Sequence, residues 1–136
     1  LGTNDFKVFG LNETVYSFNS VALQFSWETG DVIGKNDGDE VTLLEAIIGY
    51  IVDGTSSLVV DASNNSGSSF SQSQTLTLGG ASYSDGDTQH VHASFLLTGD
   101  MVRVRLRNST STEKIRLVSV TLRVSIAESS RVEAVR

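Results

Sequence analysis

Apolar and polar side chains alternate with a period of two along most of the chain, and no stretch longer than about ten residues carries a convincing apolar stripe at helical spacing. Alternation of this kind sends successive side chains to opposite faces of a strand. The clearest strands are 89–97, 101–107 and 115–126, separated by Thr98-Gly99-Asp100 and by residues 108–113. Weaker alternation predicts a short first strand at 5–10, one long or bent strand at 14–27, and strands at 57–62 and 70–78. Clusters of Gly, Asn, Asp and Ser bound these segments and predict polar loops at 29–40, 63–69 and 79–87.

The most apolar segment, 41–53, departs from the alternation. As a helix it would gather Ile47, Ile48, Ile51 and Val52 on one face. Gly49 and those same β-branched side chains favour a strand buried on both sides, in two pieces with a kink at Glu45-Ala46. Eight to ten strands with turn signals every 8–12 residues predict an all-β fold, an antiparallel β-sandwich of the jelly-roll type. Residues 1–126 form one domain, and 127–136 read as a polar C-terminal tail.

Composition narrows the function classes. The chain has 136 residues, enough for one ordinary core, and it lacks cysteine, which removes disulfides, thiolate metal sites and cysteine nucleophiles. No apolar run reaches the roughly 20 residues that cross a bilayer as a helix, so no membrane insertion is expected. The net charge of −6 argues against nucleic acid as a partner. That charge is uneven: residues 1–100 carry two basic and thirteen acidic residues, and 101–136 carry eight basic and three acidic. Opposite-sign halves suit either ion pairs between neighbouring strands of one sheet or pairing between copies of the chain.

Few residues point to chemistry. His90 and His92 leave one face of a strand about 6.5–7 Å apart, a spacing that chelates a transition metal when a third ligand arrives from elsewhere; otherwise they belong to an exposed polar face. The turns at Asp37-Gly38-Asp39-Glu40 and Asp85-Gly86-Asp87 offer clustered oxygens of the kind Ca²⁺ takes, with ordinary turn chemistry as the plainer reading. No cofactor is otherwise expected. Arg103, Arg105 and Arg107 form a ladder on one strand face and require an anion opposite them: a carboxylate of this chain, a second subunit or a bound anion. Trp27, Tyr16, Tyr50 and Tyr83 are either core or a sugar-stacking platform, with Tyr83 the most exposed candidate. Lys35, Asn36, Asn64, Asn65 and Tyr83 mark the loops best placed to touch a partner. No G-x-S-x-G elbow, no nucleophile near the histidines and no phosphate-binding glycine loop is present, so no enzymatic activity is expected.

The stretch Asp39-Glu40-Val41-Thr42-Leu43-Leu44-Glu45-Ala46, followed by Gly49-Tyr50-Ile51-Val52, resembles the C1q/TNF-like jelly-roll superfamily in its bacterial and bacteriophage branch. So does Phe95-Leu96-Leu97-Thr98-Gly99-Asp100-Met101-Val102-Arg103-Val104, with Asn108-Ser109 leading to a final long strand. The resemblance spans residues 39–126. It implies a jelly roll that assembles as a homotrimer around one of its sheets, with outer loops that bind partners. The function this implies is a structural or binding module on a virion, bacteriophage fibre or cell surface, for host attachment or capsid decoration. Its partners would be a neighbouring virion or fibre protein, or a host surface glycan or protein, in an extracellular or virion-surface location. Two other readings stay open: a filament or pilus-like subunit joined by strand addition, and a small carbohydrate-binding, lectin-like protein.

Overall fold

The computed structural model describes residues 2–15, 26–108 and 115–127. Tyr16, most of the expected strand 14–27, the segment 109–113 and the tail at 128–136 lie outside the described residues. Nine strands occur among those described: β1 Gly2–Val15, β2 Ser26–Glu28, β3 Val32–Ile33, β4 Glu40–Ile51, β5 Thr55–Ser63, β6 Gln72–Gly79, β7 Thr88–Gly99, β8 Met101–Asn108 and β9 Ile115–Ala127. They form two antiparallel sheets, one ordered β1-β9-β4-β7 and the other β2-β8-β5-β6, with β3 also paired to β8.

The pairing is nested. Strand β5 pairs with β6, β4 with β7, β2 and β3 with β8, and β1 with β9, as in one long hairpin closed pair by pair. The hairpin is then rolled so that β4 also pairs with β9 and β5 with β8. That arrangement is the jelly roll, and the all-β sandwich expected from the alternation is the observed architecture.

The core lies between the sheets. Val41, Leu43, Ala46, Ile48 and Tyr50 of β4 face Leu58, Val60 and Ala62 of β5 and Val102, Val104 and Leu106 of β8 across it, and β9 adds Val120, Leu122 and Val124. Fully burying a side chain such as Leu43 or Leu106 stabilises the fold by about 1.5–3 kcal/mol.

Segment 41–53 is a strand and not a helix. The kink expected at Glu45-Ala46 falls slightly earlier, as a register slip between Leu43 and Glu45. The slip changes which parity faces inward: Val41 and Leu43 before it, Ala46, Ile48 and Tyr50 after it. The outward residues Ile47 and Ile51 remain half-buried in mid-sheet.

Two elements differ from expectation. The first strand runs well beyond 5–10 and is tied to β9 over its whole length. The expected polar loop 29–40 contains β3, because the edge of the second sheet breaks and resumes. At the break Thr29 is buried: its N–H donates to the Val104 carbonyl at 2.9 Å and its hydroxyl accepts the Val104 N–H at 3.0 Å. One hydroxyl thus completes the pairing with β8 where the backbone turns away.

Candidate binding surfaces

The outer face of the second sheet carries the arginine ladder, and the chain supplies its anions. Asp61 of β5 lies between Arg105 and Arg107 of β8, with only 2% of its surface exposed. It accepts Arg105 Nε at 2.9 Å, Arg107 Nε at 2.7 Å and the Ser73 hydroxyl at 2.6 Å. Burial pushes the Asp61 carboxyl up, but the bonds from Arg107, Ser73 and Arg105 outweigh it and hold the group below the usual carboxylate range. Arg105 also lies 4.0 Å over the Phe70 ring. Arg103 pairs with Asp31 at 2.8 Å and Glu28 at 2.9 Å. The bond from Arg103 lowers the Asp31 carboxyl in turn, and the Asp31 bond raises Arg103. All three arginines are therefore engaged within the chain, by Glu28 of β2, by Asp31 between β2 and β3, and by Asp61 of β5.

The outer face of the first sheet is different. Ile47, Ile51 and Thr121 are half-buried there, Ser119 is buried, and Gly49 leaves the surface flat beneath His90. A Cβ at Gly49 would lie 2.5 Å from the Ser119 hydroxyl and 3.3 Å from His90 Nε2. His92 turns to Glu45, which it meets through Nδ1, and Arg123 reaches the other Glu45 oxygen at 3.4 Å. The two histidines share a face: His90 lies over Gly49, and His92 is engaged with Glu45. Among the described residues no three His, Asp or Glu side chains converge as a metal site. The acidic turns direct oxygens at backbone N–H groups, of their own turn or of the neighbouring one at Gly54. Asp39 is buried and accepts the Asn36 N–H at 2.8 Å; Asp85 accepts the Gly54 N–H at 2.8 Å; Asp87 accepts the Ser84 N–H at 3.2 Å. Asp37 lies exposed in the same turn as Asp39.

The expected contact loops fall at opposite ends of the sandwich. The 34–39 loop, the 64–71 loop and the turn at Asp100 lie where β4 begins and β7 ends. The 80–87 loop folds back on Val52, whose N–H donates to the Asp87 carbonyl and whose carbonyl accepts the Gly86 N–H, both at 2.8 Å, where β4 ends. Twelve residues of β4 separate the two ends, roughly 35 Å at the rise of a strand. Tyr83, 44% exposed, is thus remote from Lys35 and Asn36. Trp27 packs against the core and Tyr50 is buried within it, which rules out an aromatic platform joining them to Tyr83.

Asn65 shapes its own loop, while Asn64 ties that loop to β7. Asn64 donates to the Thr98 carbonyl at 2.9 Å, and Asn65 exchanges bonds with Ser63 and Ser69. Lys35 and Asn36 instead line a recess of about 280 Å³ with Ile33, Asp37, Asp100 and Met101. Ile33, 62% exposed, forms its apolar wall. Sequence reasoning missed this recess because Ile33 and Met101 meet only through the pairing of β3 with β8.

Among the described residues, the fold and surfaces together define a jelly-roll sandwich with a shallow recess at one end and a flat, partly apolar face on the first sheet. No known protein-family profile matches the chain, and no curated protein matches it. Among solved structures it is similar to the dimeric latent PorU of Porphyromonas gingivalis, at 12% identity with a TM-score of 0.40, over 86% of this chain and 11% of that one.

Proposed function

We propose that this domain is a non-enzymatic structural and binding module: a homotrimeric head or decoration domain, in the manner of C1q/TNF-like jelly rolls, on a virion, fibre or cell surface. The observation that carries the reading is the contrast between the two outer sheet faces. The Arg103–Arg107 face is covered by its own ion pairs, whereas the face around Ile47, Gly49, Ser119 and Thr121 is flat and partly apolar, suited to packing against copies of itself. Three copies place three end recesses on one rigid particle, so weak contacts through Lys35 and Asn36 add up by avidity. The cysteine-free, serine-rich composition supports an exposed particle surface as its location.

Light scattering tests the assembly. A discrete particle of three chains that Thr121→Arg breaks into folded monomers supports the reading; a monomer at high concentration overturns it. A filament is the second reading, favoured by the outermost places of β1 and β7 in the first sheet among the described residues, and it would give polymers of variable length. Glycan-array binding with turnover assayed in parallel tests a lectin-like role through the Tyr83 loop.

A further inference from the structure

Strands β6 and β7 are edge strands of different sheets, and no backbone ladder joins them. Side-chain amides take over that role. Gln72 Nε2 donates to the Leu96 carbonyl at 2.8 Å, and Gln72 Oε1 accepts the Leu96 N–H at 3.4 Å. The Gln74 amide donates to the Ser94 carbonyl, and Asn64 Nδ2 donates to the Thr98 carbonyl at 2.9 Å. A carboxamide has the donor and acceptor of a peptide group. Gln72 therefore makes with Leu96 the two bonds that a residue of an antiparallel neighbour exchanges in a hydrogen-bonded pair. The edge of β7 over 94–98 is dressed as though a strand lay beside it.

The strand so dressed has the character of one that joins edge to edge. Residues 93–99 (ASFLLTG) carry no charge and no proline, and Leu96 is 73% exposed. We propose that Gln72 and Gln74 lock β7 against a second copy of this chain. Once unlocked, β7 pairs antiparallel with the β7 of another copy across a two-fold axis at Leu96. The second copy is the occupant because the strand complements itself in that register. Leu96 meets Leu96, each Ser94 faces a Thr98, and His92 comes beside Asp100 just beyond the strand end. The proposal does not depend on the three-fold assembly, since unlocking joins whatever particle the native chain forms in pairs.

The test is the full chain carrying Gln72→Thr and Gln74→Thr. Threonine keeps strand propensity, but its hydroxyl is too short to reach β7. Sedimentation across a wide concentration range should show the particle mass doubling relative to the native chain. Adding Leu96→Arg should return it to the native mass, and the Leu96 amide should exchange with solvent more slowly in the doubled particle than in the native one. The proposal is overturned if the variant keeps its native circular dichroism and its native mass at every concentration, or if it associates equally well with Leu96→Arg present. Should the double variant lose its fold, Gln72→Thr alone, which removes both bonds to Leu96, is read by the same two criteria.

Discussion

Replacing Asp61 with alanine removes the carboxylate that holds β5, β6 and β8 together on one sheet face. Four contacts disappear: Arg105 Nε at 2.9 Å, Arg107 Nε at 2.7 Å, Arg107 Nη2 at 3.4 Å and the Ser73 hydroxyl at 2.6 Å. A hydrogen bond to a charged group contributes about 1.5–3 kcal/mol when both partners are dry. Here the Arg105 and Arg107 side chains are 28% and 42% exposed, so water replaces part of what each loses, and about 1 kcal/mol per arginine is the fairer figure. The neighbouring guanidinium groups then face each other uncompensated, at a cost of about 0.5–1 kcal/mol across partly solvated space. The expected loss is about 3 kcal/mol, or roughly 10 °C in Tm for a domain of this size, and Asp61→Asn, which keeps an acceptor and loses the charge, should lose about half of that.

Urea and thermal unfolding followed by circular dichroism at fixed protein concentration measure both variants. The pH dependence gives a second readout. The folded Asp61 carboxyl titrates below its unfolded value of about 3.9, so its contribution is whole above about pH 4 and is lost as pH falls through the folded value. The gap between wild type and Asp61→Ala must therefore narrow in acid. A loss under about 1 kcal/mol, or a gap unchanged at low pH, would refute the assignment of Asp61 as the anion of the ladder.

Three further substitutions probe single contacts. Tyr50→Phe removes the buried hydroxyl that accepts the Gly79 N–H at 2.9 Å and should cost about 1–2 kcal/mol in urea unfolding with no change in slope. Gly79→Ala should be worse, about 3 kcal/mol, because φ is +78° and the new Cβ would lie 2.1 Å from the Gly54 carbonyl oxygen; near-native stability would mean that this turn relaxes freely. Gly49→Ala should cost about 1–2 kcal/mol through its clash with the Ser119 hydroxyl, and the added Ser119→Ala should recover part of the loss; a double-mutant cycle with no coupling would count against the contact.

What could be read in the sequence is what has a local period. Strands β7, β8 and β9 stand out because each buries alternate side chains on one face, and the bulge in β4 lies beside the kink expected at Glu45-Ala46. The arginine ladder announced that an anion lay opposite but not which one, since Asp61 is more than forty residues away and becomes its partner only through the β5–β8 register. Gln72 and Gln74 read as ordinary strand polar residues, because their partners on β7 exist only once the two sheets are stacked. The contact loops were legible as loops, but their division between two ends follows from the nesting of the hairpin and from no local signal.

That nesting bears on how the chain comes off the ribosome. Strand β1 is made first, yet its sheet neighbour is β9, with Gly2 opposite Ile126 and Val15 opposite Ile115. Strand β1 must wait for β9 until nearly all of this domain has been synthesised, while β5 and β6 can zip together as soon as both emerge. Acquisition of structure is thus expected to run from the middle of the domain outward, and the long interval before β1 finds β9 is the period in which the nascent domain is most open to capture by chaperones or by its own neighbours on a polysome.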